Sequence, residues 1–326
     1  MSMSPTKFSE VVKANAYPVL MEGYESETPV YPLVCRMVPE SEMVSPFGHK
    51  TTTVTGMGLP VEREDGENIA ETSFGEGYTV YMKRRLLAQR IPYPERLVNS
   101  LDDKGLGAMV MRDLRFWGVG FVIQKETLAA NIFNKGPLTA GHAPTFNQSY
   151  AGETDPYPLV SYDNQPFFDT AHAAKVTGTT YSNHNASNAL TATTYDTSYT
   201  QMVHTNAFDE RDRKIAIRPD LLVVPPQLRS TALRITRSEL LPGGAQNDIN
   251  PNRNLTNTLV WRYLTDTDGW FMGQGNRGVM CFDSGAPVLR TWFDEEKKQY
   301  WVSAECEFGV APENWRFWLC NNVAAS

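Results

Sequence analysis

A chain of 326 residues, 41% of them hydrophobic, can bury a substantial core as one large or two modest units. Its net charge of −7, with no Lys/Arg run, excludes a reader that grips nucleic acid through a basic surface, because such binding works by displacing counterions from phosphates. No stretch approaches the roughly 18 uninterrupted apolar residues of a membrane span, and the first thirty residues lack the charged-then-apolar pattern of a signal peptide, so synthesis and retention in a cytosol are expected. Cys35, Cys281, Cys306 and Cys320 are scattered without CxxC spacing, which predicts buried thiols, neither a disulfide framework nor a zinc site.

Residues 1–45 mix turn signals with short apolar groups. Ser4 and Pro5 can start a short helix carrying Phe8, Val11 and Val12; after it, Pro18, Pro29, Pro32 and Pro39 predict an extended course. A segment of this kind cannot bury its own core and must lie along something else.

His49–Met57 and Tyr78–Leu87 predict two strands, the second with Tyr78, Val80 and Met82 alternating against Thr79, Tyr81 and Lys83. The polar stretch Leu59–Glu76 between them makes a long hairpin with an irregular end. A lone two-stranded ribbon is marginal in water, so the hairpin is expected to find its partner outside the fold that carries it. Its charge is polarised: Glu62, Glu64, Asp65, Glu67, Glu71 and Glu76 against Arg63 give −5 at the tip, and Lys83, Arg84, Arg85 and Arg90 give +4 on the returning stem. That polarity predicts lacing of one copy's tip to another's stem, with Glu62, Glu64, Asp65, Glu67, Glu71, Lys83, Arg84 and Arg85 as the candidate contacts.

Pro94 to Gly136 reads as one long helix after a short lead-in. Leu106, Val110, Leu114, Trp117, Phe121, Leu128 and Ile132 form an apolar stripe broken only at 124–125. Gly136 and Pro137 end it, and Gly105 and Gly107 place the regular start near themselves, leaving roughly 28 residues and about 40 Å. Gly118 and Gly120 predict close backbone approach by a neighbour.

Residues 137–200 are rich in turn formers and predict loops and short strands. They hold His142, His172 and His184, with His204 just beyond, but no pair has the i, i+4 or tight strand spacing of a metal site. An α/β segment follows: a buried strand Leu221–Val224, a helix Leu228–Leu241 and a strand Leu259–Leu264. Gly273, Gly275 and Gly278 match a dinucleotide-binding pattern in letters, but a strand, Val279–Asp283, follows where that motif needs a helix, so a glycine turn is expected. Val288–Phe293, a charged turn and Tyr300–Val310 predict a terminal hairpin. Tyr300, Val302, Ala304, Cys306, Phe308 and Val310 share one of its faces, and the long helix has the length and the stripe to cover it. Trp315, Phe317 and Leu319 predict a last strand.

This order of parts resembles the tailed-phage major capsid fold of the Hong Kong 97 type. Local wording supports the resemblance: PDLLVVPP at 219–226 before a helix, TDGWFMG at 267–273, EFGVAPENWRFW at 307–318 and FFDTAH at 167–172 are similar to segments of the Mu-like major head subunit branch. The resemblance implies an α+β fold with an N-terminal arm (1–45), an E-loop hairpin (46–90), a P-domain of spine helix and β-hairpin (91–137 and 280–312) and an A-domain (138–279 and 313–326). It implies a structural protein of the virion, assembled in the host bacterial cytoplasm, whose hexamers and pentamers enclose double-stranded DNA without sequence-specific contact. Its implied partners are itself, a portal protein and, in some relatives, a decoration protein, with no membrane. No catalytic residue, cofactor or metal is implied. The tip from 59 to 76 contains no lysine, so the isopeptide cross-linking of some relatives is not expected; no charged helical leader precedes the arm, so a scaffolding protein is expected to be separate. Two other readings are an encapsulin-like nanocompartment shell and a metal-dependent hydrolase using the His142, His172 and His184 region.

Overall fold

The computed structural model describes residues 10, 17–43, 48–54, 62, 65, 68, 75–100, 103–137, 145–146, 157–240 and 248–324. The candidate helix around Phe8, most of the hairpin tip, including Glu64, Glu67 and Glu71, and His142 lie outside them. The first half of the chain runs α1 (17–25), α2 (Tyr31–Val34), β1 (Arg36–Met37), β2 (Gly48–Val54), β3 (Glu76–Lys83), β4 (Arg85–Pro94), α3 (Glu95–Ser100) and α4 (Asp103–Asn134). Short strands follow at β5 (Thr145–Phe146), β6 (Tyr157–Pro158), β7 (His172–Ala173), β8 (Thr180–Tyr181) and β9 (His184–Asn185). Then come α5 (Ala192–Thr200), β10 (Leu221–Val224), α6 (Arg229–Arg237), β11 (Asn257–Val260), β12 (Trp270–Gly273), β13 (Val279–Asp283), β14 (Val288–Asp294), β15 (Gln299–Pro312) and β16 (Trp318–Asn321).

β15 is the hub. It pairs antiparallel with β14 from Val288↔Glu305 to Asp294↔Gln299, with β4 on its other edge from Gln299↔Pro94 to Phe308↔Arg85, and with β13 at its far end. Tyr300, Val302, Ala304 and Cys306 alternate onto one face, where Val110, Leu114, Trp117 and Phe121 of α4 cover them with Leu20, Tyr93 and Val98. The expected packing of helix on hairpin is present. Further along, Leu128, Ile132 and Phe133 of α4 enter a second core with Val34, Met280, Phe308 and Trp318. Phe133 sits there edge-on to Phe167, Trp261, Phe271 and Trp318, the arrangement aromatic quadrupoles prefer. A third core lies across the second sheet, ordered β11-β10-β12-β16-β9, where Leu222, Val224, Trp270, Met272 and Leu319 meet Tyr195, Ala232 and Ile235 of α5 and α6.

Several expectations need correction. Residues 17–25 are helical, not extended, and Pro32 falls in the first turn of α2, where its missing N–H costs nothing. α4 starts at Asp103, ahead of Gly105 and Gly107, and reaches 32 residues. The returning hairpin strand stops at Lys83, and Leu87 belongs to β4, where Leu87, Ile91 and Tyr93 alternate into the α4 core. β11 stops at Val260 because Trp261 turns into the core beside Phe133. α6 ends at Arg237 and leaves Leu240 exposed. The closing strand is shorter than expected, since Trp315–Phe317 form a 3-10 turn. The 273–278 segment is the expected glycine turn, with Gly278 at φ +85° and no helix after it.

Candidate functional site

The hairpin of β2 and β3 carries the candidate contacts. β2 and β3 pair antiparallel from Gly48↔Lys83 to Thr52↔Thr79, with a register shift before Val54. Alternation along β3 sends Val80 and Met82 into the large core and leaves Tyr81 exposed. The stem is therefore anchored in its own chain, against the expectation of cover from outside alone. Glu62 and Asp65, the described acidic candidates of the tip, are exposed. On the stem, Arg84 is engaged within the chain: its guanidinium pairs with Glu307 and, at 3.1 Å, with Glu40, and lies over the Phe282 ring. Arg90 stacks on Trp301, 4.4 Å from the ring centroid. Arg84 thus fixes the corner between β3 and β4, flanked by Lys83 and Arg85. The described tip and stem candidates are not brought together within one subunit.

Two functional groups escaped the sequence reading. The break in the α4 stripe is Lys125, fully buried, whose Nζ donates to Oδ1 of Asp283 at 2.6 Å, the Gly285 carbonyl at 2.7 Å and the Tyr24 hydroxyl at 2.9 Å. Tyr31 donates to the other Asp283 oxygen. Burial alone would push the Lys125 ammonium down, but the charge and hydrogen bond of Asp283, with smaller contributions from Cys306 and the Tyr24 hydroxyl, together more than offset this and hold it above the ordinary lysine range. Next to it, Glu126 accepts from the backbone N–H groups of Val30 and Tyr31 and from Trp261 Nε1 at 2.5 Å. Burial pushes its carboxyl up, and those hydrogen bonds pull it back only in part. Two adjacent charges on one helix thus hold α1 and α2 in place. The available signal was the charged pair itself, set in an otherwise apolar stripe.

The described histidines serve the fold separately. His172 turns Nδ1 to Asp163 at 2.6 Å and Nε2 to Asn183 at 3.0 Å, and stacks on Trp315. His184 Nε2 meets the Val323 carbonyl at 2.7 Å. Among the described residues no group of three or more His, Cys, Asp or Glu side chains is placed to hold a metal ion, and no helix is long and apolar enough to cross a membrane.

A long helix laid along a β-hairpin, with a separate two-stranded hairpin and an α/β unit beside it, defines a shell-forming capsid fold of the Hong Kong 97 type. Solved structures share it. The capsid of bacteriophage JBD30 decorated with minor capsid protein trimers aligns at a TM-score of 0.50 and 16% identity, covering 73% of this chain and 92% of that one. The capsid of an empty GTA particle aligns at 0.50 and 11% identity, covering 92% of each chain. No curated protein matches the sequence. A family profile described as phage capsid protein matches residues 103–321, and the chain belongs to that family. It is a structural subunit of a capsid shell, not an enzyme.

Proposed function

We propose that the protein is the major head subunit of a tailed phage, of the Mu-like branch, and that its hexamers and pentamers tile an icosahedral head around double-stranded DNA. The observation that carries this reading is the hairpin. Its stem is rooted in the subunit core through Val80 and Met82, while Glu62 and Asp65 at its tip remain exposed. Anchored at one end and carrying exposed carboxylates at the other, it is built to reach a neighbour, whose stem carries the positive charge of Lys83 and Arg85.

On this reading the arm is residues 1–45, the E-loop 46–90, the P-domain 91–137 with 280–312, and the A-domain 138–279 with 313–326. Assembly takes place in the host bacterial cytoplasm, with a portal and a separate scaffolding protein. A net charge of −7 suits a container that holds DNA and later releases it. A decoration protein is a further partner, as the trimers on the JBD30 capsid are for that particle.

Negative-stain microscopy beside sedimentation of the purified protein tests the proposal. Closed angular shells or regular hexamers are expected, and absorbance and density of native particles then separate a DNA-filled head from a protein-filled nanocompartment. Deleting residues 59–76 is expected to leave a soluble subunit that fails to close shells. A homogeneous monomer that no salt or concentration assembles would overturn the reading.

A further inference from the structure

The base of the hairpin rests on a polar cluster at the edge of the large core, apart from the candidate contacts. Glu210, 6% exposed, is its hub. Its Oε1 accepts from the Tyr162 hydroxyl at 2.9 Å and lies 2.9 Å from Arg316 Nη1; its Oε2 accepts from the backbone N–H of Lys175 at 2.7 Å. Arg316 is held in turn by the Phe208 carbonyl at 2.7 Å and by the Trp315 face. From this hub two groups reach the stem. The Lys175 ammonium donates to the Gly77 carbonyl at 2.6 Å and sits over the Tyr78 ring at 4.8 Å. The Tyr162 ring meets Tyr78 from another direction, centroids 5.0 Å apart. Tyr78 is the third residue of β3, so the cluster grips the hairpin where the described strand begins.

We propose that Tyr162, Lys175 and Glu210 form a seat for Tyr78 that sets the position of the hairpin on the subunit. The reasoning is one of leverage. Among the described residues β2 and β3 have only each other as strand partners, and a two-stranded ribbon does not fix its own direction. Val80 and Met82 anchor it by apolar contact, which is not directional. The seat adds direction: the Gly77 carbonyl and the Tyr78 ring are engaged from the 157–214 segment, and Glu210 holds the Tyr162 hydroxyl and the Lys175 backbone N–H behind the two side chains that engage them. Tyr162, Lys175 and Glu210 are thus positioning residues for the assembly element, and the inference rests on the reading of the hairpin as that element.

Hydrogen exchange of the full-length protein, kept as unassembled subunits, tests the seat without reference to assembly. Lys175→Met removes the ammonium of a residue that is exposed as a whole, and Tyr162→Phe removes one hydroxyl while keeping the ring, so both variants are chosen to fold. The expected result is exchange of the amides of residues 77–83 faster by roughly tenfold, the scale of one or two lost hydrogen bonds, with exchange in Leu221–Val224 unchanged. Unchanged exchange at 77–83, or equally faster exchange throughout, would overturn the seat. Shell yield of the same variants is a separate readout. Loosened stems with normal shells would leave the seat standing and count against the hairpin as an assembly element; loosened stems with fewer shells would support both.

Discussion

The Lys125 ammonium lies 2.6 Å from Oδ1 of Asp283, at the single interruption of the apolar stripe on α4 and at the junction of its two cores. The pair does more than fill a gap. Lys125 comes from the helix, Asp283 from the end of β13, and Tyr24 and Tyr31, which bind one member each, come from α1 and α2. Glu126 adds the N–H groups of Val30 and Tyr31 and the indole of Trp261. Residues 24–31, 125–126, 261 and 283 therefore share one polar joint, and the segment preceding the hairpin is fastened there.

Lys125→Met removes one member of a buried pair and leaves the Asp283 charge without its cation. The expected loss is about 3–5 kcal/mol of subunit stability, measured by denaturant unfolding. Adding Asp283→Leu is expected to restore part of it, because the uncompensated charge disappears. Since the folded state holds the Lys125 proton more tightly than the unfolded one, the pair's contribution is complete below the unfolded lysine value of about 10.4 and is lost only as pH rises through the folded value in alkali. A wild-type to variant difference that already collapses near neutral pH would contradict this.

Glu126 gives the opposite sign. Burial raises its carboxyl, so the folded state takes up a proton where the unfolded state has lost it. Between the unfolded value near 4.3 and the higher folded one, wild-type stability therefore falls as pH rises. Glu126→Gln cannot titrate. The difference in unfolding free energy should move in the variant's favour as pH is raised through that window, and a difference that stays constant would show that the charged carboxylate is fully compensated by its three donors.

Much of this was legible in the sequence where a single periodicity decides the outcome. The alternation of Tyr300 to Val310 and the spacing of Val110 to Phe121 each name a buried face, and each face is buried. What stayed hidden depends on partners distant in sequence. Nothing local shows that Lys125 has Asp283, 158 residues away, as its counter-ion, or that Glu126 caps backbone N–H groups 95 and 96 residues earlier. Proline misled for another reason: Pro32 opposes helix only after the first turn, and a sequence does not show which turn a proline will occupy. At the hairpin, charge marked Arg84 as free to meet a neighbour, whereas Glu307 and Glu40 of its own chain are within reach.

Phe121 tests the face assigned to α4. It is 7% exposed and packs toward β15, so Phe121→Ala is expected to cost roughly 3–5 kcal/mol. Phe116, 69% exposed on the same helix, is the control: Phe116→Ser should leave the melting temperature of the unassembled subunit within about a degree or two of wild type, in keeping with the small effect of most surface changes. Equal losses from both would mean that the buried face has been misassigned.

The two glycines expected to admit a close neighbour behave differently, and substitution separates them. A Cβ on Gly118 would stand 2.3 Å from the Leu20 carbonyl oxygen and 2.5 Å from the Tyr24 nitrogen, and a Cβ on Gly23 would stand 2.2 Å from the Arg115 carbonyl oxygen. α1 crosses α4 at that pair of glycines, backbone against backbone, so neither contact can yield by rotating a side chain. Around Gly120 a Cβ meets nothing within 4 Å, and a glycine inside a helix costs about 0.5–1 kcal/mol relative to alanine. Gly120→Ala is therefore expected to stabilise the unassembled subunit by about that amount, and Gly118→Ala to destabilise it by forcing α1 away from Lys125 and its joint. Thermal unfolding of the two variants, with hydrogen exchange of residues 17–25 as a local readout, measures both signs. Stabilisation by Gly118→Ala, with exchange in α1 unchanged, would mean that the helix crossing is looser than the geometry shows.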